Sequence, residues 1–372
     1  MKIGIVVPFS WSYWGGVVEH AENQAAALRD RGHDVQILMG HDPPGRLTRL
    51  LHPRTGRHGD LPAGIIPIGR SVVVPANGSL PNIVLSPRAM LRIRDTLAEE
   101  RFDVLHLHEP MTPVVCVSTL AYAKCPVVAT WHAAGDLGWM RGGLKVWGFL
   151  IDRIDARIAV SRSAAESAER WLGMGFEIVP NGVVVPPTAD PENRLHHVVF
   201  IGRHDARKGL PVLLQAWPEI RRRTGARLRL IGTDPLQYRL LHSRMRFDED
   251  GIDVLGIIPN SERDHELATA KVFVSPALGG ESFGMVLVEA FAMATPVVAS
   301  NIQGFADVAG PDAATLVPPG DTRALADAVV ELVGDDARRV AMGRAGRALA
   351  EERYAWPDVA RRLDEIYERV AA

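Results

Sequence analysis

The opening run Lys2-Ile3-Gly4-Ile5-Val6-Val7 is apolar without alternation, so a strand made from it has no face to offer to water. Helices packed on both faces of a parallel sheet supply the cover it needs. A helical pattern from Val17 to Arg31 closes on Gly32, and Asp34 to Met39 resumes as strand. The chain therefore begins with a βαβ unit, the seed of a doubly wound sheet, in which ligands bind beyond the carboxyl ends of the strands. The loop at that position, Pro8 to Gly16, ends in Gly15-Gly16 and lacks the GxGxxG spacing of a dinucleotide site. That argues against a nicotinamide or flavin cofactor, whereas paired glycines let a diphosphate come close to the backbone.

The alternation continues with strands at Ile65–Ile68, Val104–Leu107, Val127–Thr130 and Arg157–Val160, and a helix from Pro87 to Glu100. At Val179-Pro180-Asn181-Gly182-Val183 it breaks, and a stretch containing proline and acidic residues runs to Asn193, as expected of a hinge. It then restarts at His197–Ile201 and alternates through strands at Arg227–Ile231, Asp253–Leu255, Lys271–Ser275, Pro296–Ser300 and Ala314–Val317. Two successive α/β doubly wound domains are expected, and 372 residues are enough for each to bury a core. An amphipathic helix from Trp356 to Val370 ends the chain.

Composition excludes several classes. The net charge of −2 is spread as 19 Lys+Arg against 17 Asp+Glu in residues 1–180 and 23 against 27 in the rest, too even for nucleic-acid binding. No segment reaches the ~18 uninterrupted apolar residues of a membrane span, and the N-terminus enters a strand at once, so a cytoplasmic location is expected. Cys116 and Cys125 have no metal-ligand spacing and are expected to be buried, reduced thiols. Residues 42–60 read as a loop carrying Arg46, Arg49, Arg54 and Arg57 beside leucines, and Arg88, Arg92 and Arg94 fall in the first half of the Pro87–Glu100 helix. Leu137 to Leu150 mixes aromatic, aliphatic and cationic residues, which suits either a membrane interface or a core helix beside a glycine loop.

Two motifs in the second half carry chemistry. Val272 to Ser275 leads through Pro276-Ala277-Leu278-Gly279-Gly280-Glu281-Ser282-Phe283-Gly284 into the helical run Met285-Val286-Leu287-Val288-Glu289-Ala290. A strand, a glycine turn and a helix N-terminus make an anion site, with phosphate as the usual occupant. On a continuous helix Glu281 and Glu289 lie ~12 Å apart along the axis, too far for one small ligand but within reach of a sugar nucleotide. The other motif, Gly202-Arg203-His204-Asp205-Ala206-Arg207-Lys208-Gly209, also follows a strand and places Arg203 and Lys208 where cations neutralise a departing diphosphate. It is not a Walker A loop. Neither motif, nor any other stretch, shows a metal-ligand cluster by spacing.

These pieces, with His106-Leu107-His108-Glu109-Pro110, Thr130-Trp131-His132 and Pro180-Asn181-Gly182-Val183, resemble a retaining glycosyltransferase of family 4 over essentially the whole chain. Within that family the chain looks most like the actinobacterial phosphatidylinositol mannosyltransferases, in Leu278 to Gly284, His108-Glu109-Pro110 and Asn77-Gly78-Ser79. The resemblance implies a GT-B fold: two Rossmann-like domains facing a central cleft, with the C-terminal helix returning to the first. The first, acceptor-binding and membrane-associating, comprises residues 1–180 and 357–372. The second, nucleotide-sugar-binding, comprises residues 181–356.

The resemblance also implies roles. His132, Arg203, Lys208 and Glu281 act at the reaction centre: His132 sits beside the sugar, Arg203 and Lys208 hold the diphosphate, and Glu281 binds sugar hydroxyls. Gly16 offers its N–H to the diphosphate, and Ser282, Phe283, Gly284, Met285 and Val286 line the phosphate turn. Glu289 binds the ribose, and Ile258, in Gly256-Ile257-Ile258-Pro259, meets the base. Asn77, Gly78, Ser79 and His20 belong to the acceptor side. The donor is a nucleotide sugar, GDP-mannose or a UDP-sugar. No cofactor is required, and Mg2+ is compatible but not implied. The acceptor is a lipid or polyol, reached from an anionic membrane surface at the inner face of the membrane. Close relatives have Gln, Tyr and Arg where this chain has Val18, Ala76 and Asn82, so the acceptor pattern departs from theirs. A UDP-sugar transferase with a soluble sugar phosphate or inositol phosphate acceptor is the alternative reading, followed by a nucleotide-sugar epimerase and a non-catalytic lipid-surface binder.

Overall fold

The computed structural model describes residues 1–52, 56, 60–74, 81–132, 148–203 and 205–372. The chain forms two compact units, residues 1–182 with 356–372 and residues 183–355. Gly182 marks the first crossing because it lies under the Trp356 indole, where a Cβ would come within 2.4 Å of the ring.

In the first unit the strands are β1 (Lys2–Ser10), β2 (Asp34–Gly40), β3 (Ile65–Pro67), β4 (Val72–Val73), β5 (Asn82–Ile83), β6 (Val104–His108), β7 (Val127–Trp131), β8 (Ala156–Ala159) and β9 (Glu177–Ile178). Their order is β3-β2-β1-β6-β7-β8-β9, with β5 against β1 and β4 against β5 in the antiparallel sense. The helices are α1 (Gly16–Asp30), α2 (Arg46–Leu51), α3 (Pro87–Glu100), α4 (Val115–Tyr122), α5 (Arg162–Leu172) and the C-terminal helix (Trp356–Ala371). From β1 the chain winds outward through β2 and β3, then returns to β6 on the other side. The β1/β6 border is thus the switch point where such sheets bind ligands.

Strand alternation divides this core in two. Val6, Leu105, Leu107, Val127, Ala129 and Trp131 enter one cluster, while Ile3, Ile5, Val7, Val104 and Val128 enter the other with α1 and the C-terminal helix. Each fully buried Val, Leu or Ile contributes about 1.5–3 kcal/mol, which is why β1 has no polar face. Residues 42–60 are not loop throughout, since Arg46–Leu51 closes a short helix. Helix α4 gave no sequence signal because it is apolar nearly all round, with Val115, Cys116 and Leu120 all buried. Cys116 is buried and Cys125 half-buried, and both are free thiols.

The second unit has β10 (Leu195–Ile201), β11 (Arg227–Ile231), β12 (Ile252–Gly256), β13 (Ala270–Ser275), β14 (Val297–Ser300) and β15 (Ala314–Val317), all parallel, in the order β12-β11-β10-β13-β14-β15. Helices α6 (Leu210–Thr224), α7 (Pro235–Met245), α8 (Asn260–Thr269), α9 (Met285–Ala292), α10 (Gln303–Ala313), α11 (Thr322–Gly334) and α12 (Asp336–Leu349) complete it. Its switch point is the β10/β13 border, and both chemical motifs of the sequence leave the carboxyl ends of these two strands.

Candidate functional site

In the second unit the loop after β10 and the loop after β13 are locked face to face. The Leu278 N–H donates to the Arg207 carbonyl at 2.7 Å, and the Arg207 guanidinium donates to the Gly280 carbonyl at 3.2 Å. Glycine makes this approach possible. Gly209 has φ +71°, and a Cβ there would lie 1.8 Å from the Pro276 carbonyl oxygen. A Cβ on Gly304 would lie 2.1 Å from the Glu281 carbonyl oxygen. Across the junction Lys208 Nζ meets Glu281 Oε1 at 2.6 Å, so two residues 73 positions apart share one ion pair at the switch point. Asp205 pairs with Arg207 at 2.7 Å, and that guanidinium holds its carboxyl below the usual range. Arg203 is exposed on the same loop.

Helix α9 begins only at Met285, with Gly284 at φ +89° before it. Glu281 therefore belongs to the turn, and the ~12 Å separation from Glu289 expected of a continuous helix does not apply. The Phe305 ring requires the glycine at 284, since a Cβ would come within 2.7 Å of it. The Phe283 side chain is buried edge-on against Tyr354, which leaves only its backbone to serve a ligand. Met285 and Val286 open the helix, where the first N–H groups have no intrahelical acceptor. Ser282 lies half-buried in the turn before them. Glu289 faces Arg263 of α8 at 3.5 Å, a cation that sequence reasoning did not single out. Ile258 is half-buried in the loop between β12 and α8.

In the first unit the period of two places His106 and His108 of β6, together with Thr130 of β7 and His132 just beyond it, on the face covered by α1 and the C-terminal helix. Helix α1 contributes His20 and Gln24, one turn apart. His108 Nδ1 and His132 Nε2 share a hydrogen bond of 2.8 Å, and the His106 and His108 rings stack at 4.8 Å. His20 meets His132 at 5.0 Å, His108 at 5.4 Å and Trp356 at 4.9 Å between ring centroids. Behind them His106 lies 2.7 Å from the Thr130 hydroxyl and 2.5 Å from the Tyr367 hydroxyl, and the Gln24 amide donates to that hydroxyl at 3.0 Å. The His132 N–H donates to the Glu109 carboxylate at 3.1 Å. Glu109 has φ +52°, a left-handed conformation that costs a non-glycine residue energy and is found at functional sites.

Burial governs the charge of this group. It holds His106 down to about 3 and His132 to about 4, and it pushes His20 and His108 well below the ordinary imidazole range, with neighbouring imidazoles adding to the effect for His20, His106 and His108. All four rings are neutral at pH 7. They can accept or donate hydrogen bonds but cannot serve as cations.

Gly16 opens α1, and a Cβ on Gly15 or Gly16 would meet nothing within 4 Å among the described residues, so packing against those residues does not account for the glycine pair. The structure thus brings His20 together with His132, and Lys208 with Glu281. Asn77, Gly78 and Ser79 lie outside the described residues, as do Ala76, Arg54, Arg57 and residues 137–147 of the mixed aromatic-cationic stretch. Val18 is buried among Trp11 and Ala21, and Asn82 is in β5.

Residues 14–185 match the family model described as Glycosyltransferase Family 4, and residues 196–335 match that of Glycosyl transferases group 1. The phosphatidyl-myo-inositol mannosyltransferase of Mycobacterium leprae is 36% identical over 388 residues, covering 100% of this chain and 97% of the relative. Its counterpart in Mycolicibacterium smegmatis is 35% identical, covering 100% and 94%. Among solved structures, sucrose-phosphate synthase from Thermosynechococcus elongatus superposes with a TM-score of 0.74 at 21% identity, covering 99% of each chain. Anabaena HepE in complex with UDP gives 0.73 at 18%, covering 99% of this chain and 100% of that one.

Proposed function

As the chain belongs to glycosyltransferase family 4 and has the GT-B fold, we propose that it moves mannose from GDP-mannose, with retention of configuration, to a lipid such as phosphatidylinositol at the cytoplasmic face of the membrane. The observation that carries the donor side is the Lys208–Glu281 pair, 2.6 Å apart at the switch point of the second unit. Breaking the anomeric C–O bond leaves negative charge on the diphosphate and oxocarbenium-like charge on the sugar. A diphosphate at this junction draws Lys208 to itself, with Arg203 and the N-terminal amides of α9, and stabilises the departing group. Glu281, released from Lys208, accepts hydrogen bonds from sugar hydroxyls. Glu289 and Arg263 flank the ribose, and Ile258 meets the base. In the first unit the open N-terminus of α1 at Gly16 offers a further N–H to phosphate, and His132 is a neutral hydrogen-bonding group beside the sugar. Attack on the same face, with the leaving phosphate taking the acceptor proton, retains configuration without an enzyme nucleophile or a metal ion.

The lipid acceptor is supported by the names of the full-length relatives and by the first unit's surface. Arg46, Arg49 and Leu50 on α2 and Arg88, Met90, Leu91, Arg92 and Arg94 on α3 are all exposed, a mixture that attracts anionic lipid and can rest in its interface. Among the described residues no helix is long and apolar enough to cross a membrane. The second reading is a UDP-sugar and a soluble sugar phosphate or inositol phosphate, kept because Val18 lies in the core and offers no polar contact to an inositol phosphate headgroup of the kind the relatives' names imply. Incubation with GDP-mannose or UDP-glucose, with and without phosphatidylinositol vesicles or soluble inositol phosphate, separates the two. A mannosylated lipid formed only with GDP-mannose and vesicles is the expected product. A glycosylated soluble acceptor with no lipid product overturns the lipid reading.

A further inference from the structure

Two consecutive residues at the end of β6 hold His132. The His108 imidazole meets its ring, Nδ1 to Nε2 at 2.8 Å, and the Glu109 carboxylate accepts its backbone N–H at 3.1 Å. We propose that His108 is a positioning residue for the transfer reaction: it donates from Nδ1 to His132 Nε2, so that His132 carries its own proton on Nδ1 and offers an N–H, not a lone pair, to a substrate oxygen. The inference rests on the reading of His132 as the neutral group beside the sugar, and adds what fixes its form.

The bond between the rings has two possible states. Both imidazoles are buried and neutral, so each carries one proton, and the two nitrogens that face each other share one between them. Either His108 donates and keeps a bare Nε2, or His132 donates and His108 carries its proton on Nε2. That Nε2 is buried and has no hydrogen-bond partner. Orphaned buried N–H groups are rarer in folded chains than under-satisfied acceptors, which favours the first state. Burial lowers the His132 pKa and the Asn181 side chain opposes it, as a hydrogen-bond acceptor beside a ring N–H does. With Nε2 engaged by His108, that N–H is on Nδ1.

The surroundings keep His108 itself in place. Its ring stacks on His106 at 4.8 Å with 12° between the planes. His106 is fixed in turn by the hydroxyls of Thr130 at 2.7 Å and Tyr367 at 2.5 Å, so the C-terminal helix reaches His132 through two imidazoles. The φ of +52° at Glu109 is a strained conformation, kept where its carboxylate bonds the His132 N–H. In water a free histidine side chain carries its proton mainly on Nε2, so His132 as Nδ1–H is a form that the protein imposes through the bond at the other nitrogen.

The test is NMR of the full chain carrying 15N in its histidine rings, where the His132 signals are those lost in His132→Gln, joined to steady-state kinetics on GDP-mannose and whichever acceptor is turned over. The wild type is expected to show His132 as Nδ1–H. His108→Leu should convert it to the Nε2–H form and lower kcat at least tenfold, with the KM for GDP-mannose changed less than twofold. His108→Asn, whose amide still donates to His132 Nε2, should keep the Nδ1–H form and most of the activity. Circular dichroism shows that each variant is folded, and if His108→Leu is not, the wild-type spectrum and His108→Asn decide. A His132 proton on Nε2 in the wild type, an Nδ1–H form that survives in His108→Leu, or full activity in that variant would overturn the proposal. A wild type with the Nδ1–H form and no transfer to any acceptor would support the His108 bond and contradict the transfer reading, which keeps the two failures apart.

Discussion

At the switch point of the second sheet, Lys208 and Glu281 carry opposite charges 2.6 Å apart with their side chains 25% and 14% exposed. At the switch point of the first sheet, His20, His106, His108 and His132 are buried and neutral. Both groups stand where doubly wound sheets bind ligands, but they are fitted to different ones. The pair is half-buried, so each charge needs a partner, and a phosphate entering the junction can replace Glu281 as the partner of Lys208. A buried neutral imidazole resists taking up a proton and exchanges hydrogen bonds with uncharged groups such as hydroxyls. The glycosyl donor's diphosphate is therefore matched to the second unit, and the uncharged chemistry to the first.

The backbone sharpens the contrast. The charged junction is held by glycines, and α6 supplies an internal control, because Gly209 before it and Gly225 after it have φ of +71° and +70°. Only Gly209 has a neighbour in the space of a Cβ; Gly225 has nothing within 4 Å. Gly225→Ala should cost about 1 kcal/mol, the ordinary price of a left-handed alanine. Gly209→Ala should cost about 3 kcal/mol or more, since it must also push the β13 loop away. Urea unfolding of the two variants checks this, and equal losses would show that the loops are not locked as described.

The neutral group is held instead by hydrogen bonds. Tyr367→Phe removes the hydroxyl that meets His106 at 2.5 Å and Gln24 at 3.0 Å. It should destabilise the first unit by about 1–2 kcal/mol and leave Gly209 and its loop untouched. A thermal melt reads the loss, and an unchanged melting temperature would mean that the C-terminal helix does not brace the histidines.

How much of this was legible beforehand follows the same division. The strand-turn-helix from Val272 to Ala290 is local in sequence, so its glycines and carboxylates could be read directly, and so could Arg203 and Lys208. Their pairing could not, because it depends on β10 and β13 being neighbours despite the two strands and three helices between them. Arg263 escaped notice for the same reason, reaching Glu289 from another helix. In the first unit His106 and His108 announce a shared face by their spacing of two, and His20 and Gln24 by their spacing of four. What spacing could not show is that both faces, with His132, converge under Trp356 and Tyr367 from the far end of the chain. Short elements such as α2, β4 and β5 were equally hidden, since their few residues carry no period.

The central claim is that the Lys208–Glu281 junction is a diphosphate site, and titration calorimetry with GDP tests it most directly. The wild-type chain should bind GDP, and Lys208→Ala, shown to be folded by its melt, should bind it at least tenfold more weakly, a loss of about 1.4 kcal/mol or more. GDP binding of equal strength in the two proteins, or no binding of GDP by the wild type, would contradict it.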